Sequence, residues 1–271
     1  MQRNRMMLVG AAVLWATLGC NKDKAPEQKL APTAAALESA MPQAASAAAF
    51  QVDPASSSFQ FLMDSPLEKI DGEAAKSLAG ELYIDPSDLT KSTGLVKADL
   101  KLLTLYQQKR GDDKSAYGER KKSELQNEHA RGWLQLDAKE GEVTAEQAEM
   151  NRWAEIKISK LDDLSATDVT KLAGPERKVT ATASGEFRLH GRKAVKSAKV
   201  ELNFKYTGDK LTAVEVKTRE PFVVGLAEFE VNPRDAAGKF VRSVTDAISG
   251  NLKGKISNDA PVAVSFVAVP K

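Results

Sequence analysis

The chain has 271 residues, with 39 basic side chains, 37 acidic side chains, two histidines and one cysteine. A formal charge of +2 excludes a partner that binds through net charge alone, such as bulk DNA or an anionic surface. One cysteine excludes a disulfide framework and a cysteine-based zinc site. The length is sufficient for one large β domain or two small domains with a hydrophobic core.

The first 19 residues have the features of an export signal. Arg3 and Arg5 precede an uncharged, mostly apolar run of fourteen residues, 6–19, which ends at Cys20. This run is shorter than the roughly 20 residues that an apolar helix needs to span a bilayer. A basic start, a short apolar run and small residues at its end are typical of a secretory signal peptide, so we predict a signal peptide over 1–19.

The position of Cys20 resembles that of the lipid-modified cysteine of bacterial lipoproteins. Gly19 fits the position before the cysteine, whereas Thr17 stands where leucine is usual and Leu18 is one place late. The resemblance implies acylation at Cys20, with palmitate among the acyl groups, and a membrane anchor in the bacterial cell envelope facing the periplasm or the cell surface. Ordinary secretory cleavage is the alternative, because Thr17 and Gly19 are also small enough for that enzyme.

The segment after the cysteine differs in composition from the rest of the chain. Residues 21–50 contain 11 alanines and three prolines, and no aromatic residue precedes Phe50. Such a segment buries too little apolar surface to fold alone. We therefore predict a lipidated Ala/Pro-rich tether over 20–50 and a single folded domain over 51–271.

From residue 51 the apolar residues recur with a period of two. Successive side chains of a strand point to opposite faces, so this alternation predicts strands with one apolar face. Turn residues at Asp85-Pro86, His190-Gly191 and Gly208-Asp209 separate several of the segments. No internal sequence repeat is evident. The predicted strands fall within 58–63, 79–84, 96–102, 154–159, 179–189, 198–206, 211–218 and 261–269.

Two further segments, 125–133 and 240–248, carry large side chains at i, i+4 and i+8 and predict helices. Together the patterns predict an all-β protein: an eight-stranded antiparallel barrel with two short helices on its connections. An antiparallel sheet removes its exposed edges by closing, and eight strands enclose either side chains or one small ligand. Alternation does not distinguish a filled barrel from a hollow one.

The sequence contains no pattern that predicts catalysis. His129 shares a helix face with apolar residues and His190 adjoins a turn glycine, so neither has the spacing of a zinc site. The acidic pairs 112–113 and 162–163 lie in polar, loop-like segments. The basic cluster 120–122 is flanked by acids, which favours a solvated helix face. We therefore expect no enzyme activity, no cofactor, no metal site and no nucleic-acid partner.

The order of the segments resembles the YceI-like family of lipocalin-type, polyisoprenoid-binding barrels over residues 51–271. Departures from the family pattern are NEHARGWLQL, which replaces the usual Arg-Asp before a His-Leu pair, and Glu230, which stands where glycine is usual. The segments that carry the resemblance are SFQFLMDSPLEKIDGEA, AGELYIDPSDLTKSTGLVKADL, SGEFRLHG, PFVVGLAEFEV and PVAVSFVAV.

The resemblance implies a barrel whose apolar interior holds a long isoprenoid or similar amphiphilic chain. The function predicted is that of an envelope-anchored lipoprotein that binds, sequesters or transfers a lipophilic ligand without covalent chemistry. The alternative is a filled barrel that acts as a structural or protein-interaction module of the envelope. From the alternation, the side chains predicted to face the interior and contact a ligand are Phe59, Phe61, Leu100, Ile156, Phe187, Leu202 and Phe204.

Overall fold

The computed structural model describes residues 30–64, 67–112, 114–231 and 259–271. In this part of the chain one antiparallel sheet closes on itself, because the first strand pairs with the last. The strands are β1 (Ala48–Asp64), β2 (Glu68–Ala75), β3 (Leu78–Ile84), β4 (Thr93–Asp99), β5 (Thr104–Lys109), β6 (Lys121–Lys122), β7 (Trp153–Asp162), β8 (Glu176–Leu189), β9 (Arg192–Thr207), β10 (Lys210–Thr218), β11 (Phe222–Gly225) and β12 (Asp259–Pro270). The helices are α1 (Glu124–Trp133) and α2 (Ala145–Asn151).

Short breaks divide three of the barrel strands in two. β2 and β3 form one divided strand, and both pair with β1. β4 and β5 form the second, in which β4 pairs with β3 and β5 pairs with β2. β10 and β11 form the third, and both pair with β12. With each divided strand counted once and the two-residue β6 left out, eight of the described strands run up and down around a closed barrel. The predicted fold class is therefore confirmed.

The alternation of inward and outward side chains follows the sequence pattern with one local exception. Leu102, which the pattern predicts to face inward, is 49% exposed. A 3-10 turn over Leu100–Leu102 interrupts the bent strand that β4 and β5 form, so the period of two is lost there. Side chains beyond the turn resume the alternation, and Leu105 is buried.

The connections between strands hold both helices. α1 lies where the sequence predicts a helix, and it begins at Ser123, whose side chain accepts a hydrogen bond from the Gln126 backbone. α2 was not predicted, although Thr144 and Gln147 form a capping box at its start. The helix predicted over 240–248 lies outside the described residues. In the described ranges, no helix is long and apolar enough to cross a membrane.

The basic cluster at 120–122 belongs to a strand rather than to the predicted helix face. Lys121 and Lys122 form β6, which pairs with β5 on the outside of the barrel. Arg120 lies beside them, with its guanidinium 2.5 Å from the Asp71 carboxylate and 3.5 Å from the centre of the Tyr106 ring. Side-chain pairing across the sheet therefore replaces the solvated helix that the local charges suggested.

Residues 30–47 form an N-terminal strap that lies on the outer face of the barrel. The strap begins where β8 turns into β9, with Ala34 N donating to the Gly191 carbonyl at 2.7 Å. It ends at the opposite pole, where the Ser46 hydroxyl donates to Asp85 at 2.5 Å. Its buried side chains are Ala31, Leu37 and Ala40.

The tether hypothesis is therefore wrong for residues 30–50. The Ala- and Pro-rich segment has no core of its own, but it obtains one by packing on the barrel, where Leu37 and Ala40 contact Leu95 and Tyr83. Phe50 already belongs to β1 and is 2% exposed. The folded unit thus begins well before residue 51, and the part of the predicted tether at 20–29 lies outside the described residues.

The two poles of the barrel are built differently. The helix end consists of residues 110–152, the 190–191 turn and residues 226–231. The turn end carries two matching connections, 85–92 and 166–172, which we call the paired turns. Each contains an Asp-apolar-Thr-Lys sequence in a 3-10 turn, DLTK in the first and DVTK in the second, so the chain does contain a short internal repeat.

Candidate functional site in the barrel interior

Two adjoining apolar cavities lie inside the barrel. The helix-end cavity has about 990 Å³ of space free of protein atoms and the turn-end cavity about 900 Å³, each figure including space open to solvent. Four side chains, those of Val96, Ile156, Phe222 and Val264, line both cavities. The two cavities are therefore neighbours inside the barrel, one toward each pole, with these four side chains at their boundary.

Most polar side chains around this space are engaged elsewhere, whereas the indole N–H of Trp133, which also belongs to the lining, is buried without a hydrogen-bond partner. Ser92, Thr93 and Thr218 line the turn-end cavity, and their hydroxyls are hydrogen-bonded to backbone groups at 2.7 to 3.1 Å. Glu155 lines the helix-end cavity, but its carboxylate is hydrogen-bonded to the N-terminal strap at Leu37 N. The interior therefore offers carbon surface, and a ligand that fits it must be mostly hydrocarbon.

The sequence-predicted interior residues come together in this space. All seven line it, which confirms that they face inward, whereas their contact with a ligand stays a prediction. The helix-end cavity is lined by Phe59, Phe61, Leu100, Ile156 and Phe187, and the turn-end cavity by Ile156, Leu202 and Phe204.

Gly72 makes room for one of these rings. Gly72 lies opposite Phe61 in the β1–β2 pairing, so both positions face the interior. A Cβ at Gly72 would collide with the Phe61 ring and approach Leu105 within 2.8 Å. The Phe61 side chain therefore lies flat over β2, which leaves the centre of the barrel open.

Several lining residues were missed by the strand pattern because they come from other elements. Trp133 lies on α1, and Leu226 lies in the 3-10 turn Leu226–Phe229. The sequence predicts a helix through Trp133, but the spacing of its apolar residues does not specify how this helix packs on the barrel. Phe222 was missed for another reason, because β11 has only four residues and is too short to show an alternation.

The barrel wall is incomplete at the helix end. β7 begins at Trp153, opposite Asp99, so among the described residues β5 is bordered on that edge by the two-residue strand β6 and not by β7. α1 covers the gap, and the Asn127 side chain bonds both Leu105 N, at 2.9 Å, and Leu105 O, at 3.0 Å. The short β5–β6 pairing, the Asn127 amide and side-chain contacts of α1 thus close this part of the wall.

Residues 226–231 form another part of the helix-end wall. The Phe229 ring is fully buried and meets Phe187 edge to face, with ring centres 5.4 Å apart. Lys196 and Glu228 form an ion pair of 2.6 Å beside it. The His190 ring holds the segment from outside, because its Nδ1 lies 3.1 Å from the Phe229 carbonyl oxygen. In neutral His190 this nitrogen carries the proton and donates a hydrogen bond to the carbonyl.

Burial lowers the pKa of His190, and the Phe229 carbonyl and Glu230 oppose that effect only in part. Since the folded-state pKa lies below the ordinary value of about 6.5, the stability contributed by neutral His190 is complete above that pH. It is lost as the pH falls from there through the folded-state pKa.

We expect the free energy of unfolding to fall between about pH 7 and pH 5, and His190→Asn to flatten this dependence. Asparagine tolerates the left-handed backbone of this position, where φ is 50°, and keeps a side-chain donor. Urea unfolding at a series of pH values measures both proteins. An equal slope in the two would show that His190 is not the group responsible.

The remaining candidate groups stay apart. His129 packs on Trp133 with ring centres 5.9 Å apart, and Asp162 pairs with Lys160 at 2.8 Å. Asp163 accepts a hydrogen bond from the Thr182 hydroxyl, so the two adjacent acids do not share a site. Across the described ranges no group of three or more His, Cys, Asp or Glu side chains is placed to hold a metal ion.

Comparison with known proteins gives distant structural likenesses. No protein-family model and no curated protein matches the chain. A polyisoprenoid binding domain from Saccharophagus degradans, implicated in plant cell wall breakdown, is 17% identical with a TM-score of 0.45, covering 83% of this chain and 99% of that one. BcnA from Burkholderia cenocepacia is 13% identical with a TM-score of 0.40, covering 81% and 99%. Values this low carry no argument about function, and the family resemblance in the sequence stays a prediction.

Proposed function

We propose that the barrel binds one long apolar or amphiphilic chain, isoprenoid-like in its width, and sequesters or transfers it without covalent chemistry. The observation that supports this most is the pair of neighbouring carbon-lined cavities, which share four lining residues, and we propose that one chain occupies both. A filled barrel would have no such space, since protein cores are close-packed.

The length of the space explains why a long chain is favoured over a short one. Each methylene moved from water into a carbon-lined site contributes about 0.8 kcal/mol, so roughly ten of them contribute about 8 kcal/mol. Association itself costs at least about 4 kcal/mol in lost freedom of motion. A short hydrocarbon therefore binds weakly, whereas a chain that spans both cavities reaches useful affinity.

Native mass spectrometry tests the proposal on the full chain purified from a membrane fraction. A native spectrum should contain an additional lipophilic mass that a denaturing spectrum of the same sample lacks. Covalent acyl groups remain in both spectra, so the difference isolates the noncovalent ligand. Equal masses in the two spectra, together with no uptake of added isoprenoid alcohols, would overturn the proposal.

We also propose that the protein is held in the bacterial envelope by acyl chains on Cys20. Such an anchor would support delivery of a ligand to a membrane or its removal from one. The strap begins at the helix end, where Ala31 N donates to the Glu228 carbonyl at 2.8 Å, so the anchored residue lies close in sequence to that end of the barrel. The ten steps between successive Cα atoms from Cys20 to Leu30 reach at most about 35 Å when fully extended. An anchored barrel would therefore stay within reach of the bilayer.

Cys20→Ala is expected to move the protein from the detergent phase to the aqueous phase after phase partitioning. One acyl chain holds a protein only weakly, whereas several chains hold it firmly, so the shift should be nearly complete. The mass of the variant should also lack the acyl groups. Unchanged partitioning and an unchanged difference from the polypeptide mass would contradict the anchor.

A further inference from the structure

The turn-end cavity stops at a single large side chain on the first of the paired turns. Leu89 lines this cavity and is 1% exposed. Val169, its counterpart on the second turn, is fully buried in the same apolar cluster without lining either cavity. Leu89 thus lies between the cavity and the closed pole of the barrel.

Hydrogen bonds between the two turns fix this floor. Leu89 N donates to Thr167 O at 2.8 Å, and Val169 N donates to Pro86 O at 2.9 Å, so each turn satisfies the other's backbone. Because the two bonds are reciprocal, neither turn can swing outward without breaking both. A ligand that reaches Leu89 therefore meets a floor that does not move aside.

In each of the paired turns an aspartate carboxylate accepts hydrogen bonds from the threonine two residues later. Asp88 accepts from the backbone and hydroxyl of Thr90 and pairs with the following lysine, and Asp168 does the same with Thr170. These bonds lower the pKa of both carboxyls, the hydroxyl bond contributing most in each. The Arg177 guanidinium adds a further bond to the Val169 carbonyl at 3.2 Å.

In the described ranges, the opposite pole has no comparable pair of turns. At the helix end the gap beside β5 is covered by α1, and the lining residues Phe61, Trp133 and Leu226 are only partly buried. A chain that enters there advances along the barrel until its tip meets Leu89. The distance from the helix end to Leu89 therefore limits the length of chain that fits inside the barrel.

We propose that Leu89 sets the longest apolar chain that the cavity accepts, a specificity role that rests on the proposed function. The experiment measures straight-chain alcohols of increasing length by displacement of N-phenylnaphthylamine from the full chain. Each methylene that enters the cavity should raise affinity about fourfold, and each one that stays in water should add nothing. A plot of log affinity against chain length should therefore break at a defined length.

Leu89→Ala should move this break to chains longer by about two to three carbons, because it removes about that depth of side chain from the floor. Leu89→Phe should move it to shorter chains, which provides a second variant if the alanine protein does not fold. Leu95→Ala is the matched control, since Leu95 is also buried, at 6% exposed, but packs outward against the strap.

The outcomes separate the two proposals. A break in the wild type that shifts in opposite directions in the two Leu89 variants, and not in Leu95→Ala, supports the role of Leu89. A break that stays at the same length in all variants overturns this role and leaves the proposed binding function intact. Absence of displacement by any alcohol in the wild type overturns both.

Discussion

Replacing Glu155 with leucine is expected to lower the free energy of unfolding by about 3–5 kcal/mol. Glu155 and Arg188 are each 1% exposed, beneath the N-terminal strap, with their charged groups 3.5 Å apart. Without the carboxylate, the Arg188 guanidinium stays buried with only backbone carbonyls of Ala34 and Met150 as partners. Burial already lowers the pKa of Arg188, an effect that the Glu155 charge opposes.

The reverse deletion, Arg188→Met, should cost less, about 1–3 kcal/mol. Glu155 would keep two partners, since Lys97 Nζ and Leu37 N both lie 2.8 Å from its oxygens. The double variant should lose at least about 1 kcal/mol less than the sum of the two single losses, because it removes both charges together. Urea unfolding of the four proteins measures this cycle. Additivity of the two single losses within about 0.5 kcal/mol would contradict coupling between Glu155 and Arg188.

Ala183→Phe is expected to abolish most chain binding while it leaves the free energy of unfolding within about 1 kcal/mol of the wild type. Ala183 lies opposite Ala198 on neighbouring strands, and both small side chains line the turn-end cavity. A phenyl ring there fills space that the account assigns to the ligand. Displacing about four methylenes, at about fourfold each, lowers affinity roughly two-hundredfold.

The same variant distinguishes a hollow barrel from a filled one. In a filled barrel the added ring overpacks the core and destabilises the protein by about 1–3 kcal/mol. Ala75→Phe is the matched control, because Ala75 is exposed on the outer face of β2. Thermal and urea unfolding, with titration of a long-chain alcohol, measure both properties. Marked destabilisation with unchanged binding would favour the filled-barrel alternative.

The fold and the inward faces could be predicted because they depend on local alternation. Phe59 and Phe187 lie on strands long enough to show a period of two, and both line the cavity as predicted. A period of two does not reveal how far apart the inward side chains lie across the barrel. That is why the sequence left the filled and hollow forms open, and why the seven chosen residues were only part of the lining.

The remaining features depend on contacts between segments that are distant in the sequence. The strap has a composition typical of an unfolded chain, yet Leu37 N is ordered by Glu155, 118 residues away. The floor at Leu89 depends on the second turn at 166–172, and the only signal was the brief DLTK and DVTK repeat. Trp133 reaches the cavity through the docking of α1, which helical spacing does not specify.

Quenching of tryptophan fluorescence by a long-chain alcohol brominated along its chain tests the central claim most directly. Trp133 lines the cavity, whereas Trp153 points away from it and donates to Glu149 at 3.2 Å. We expect saturable quenching that Trp133→Phe removes and Trp153→Phe retains. The third tryptophan, Trp15, lies in the predicted signal peptide, so the measurement uses protein that lacks residues 1–19. Quenching that is absent, or that depends equally on Trp133 and Trp153, would contradict a ligand chain inside the barrel.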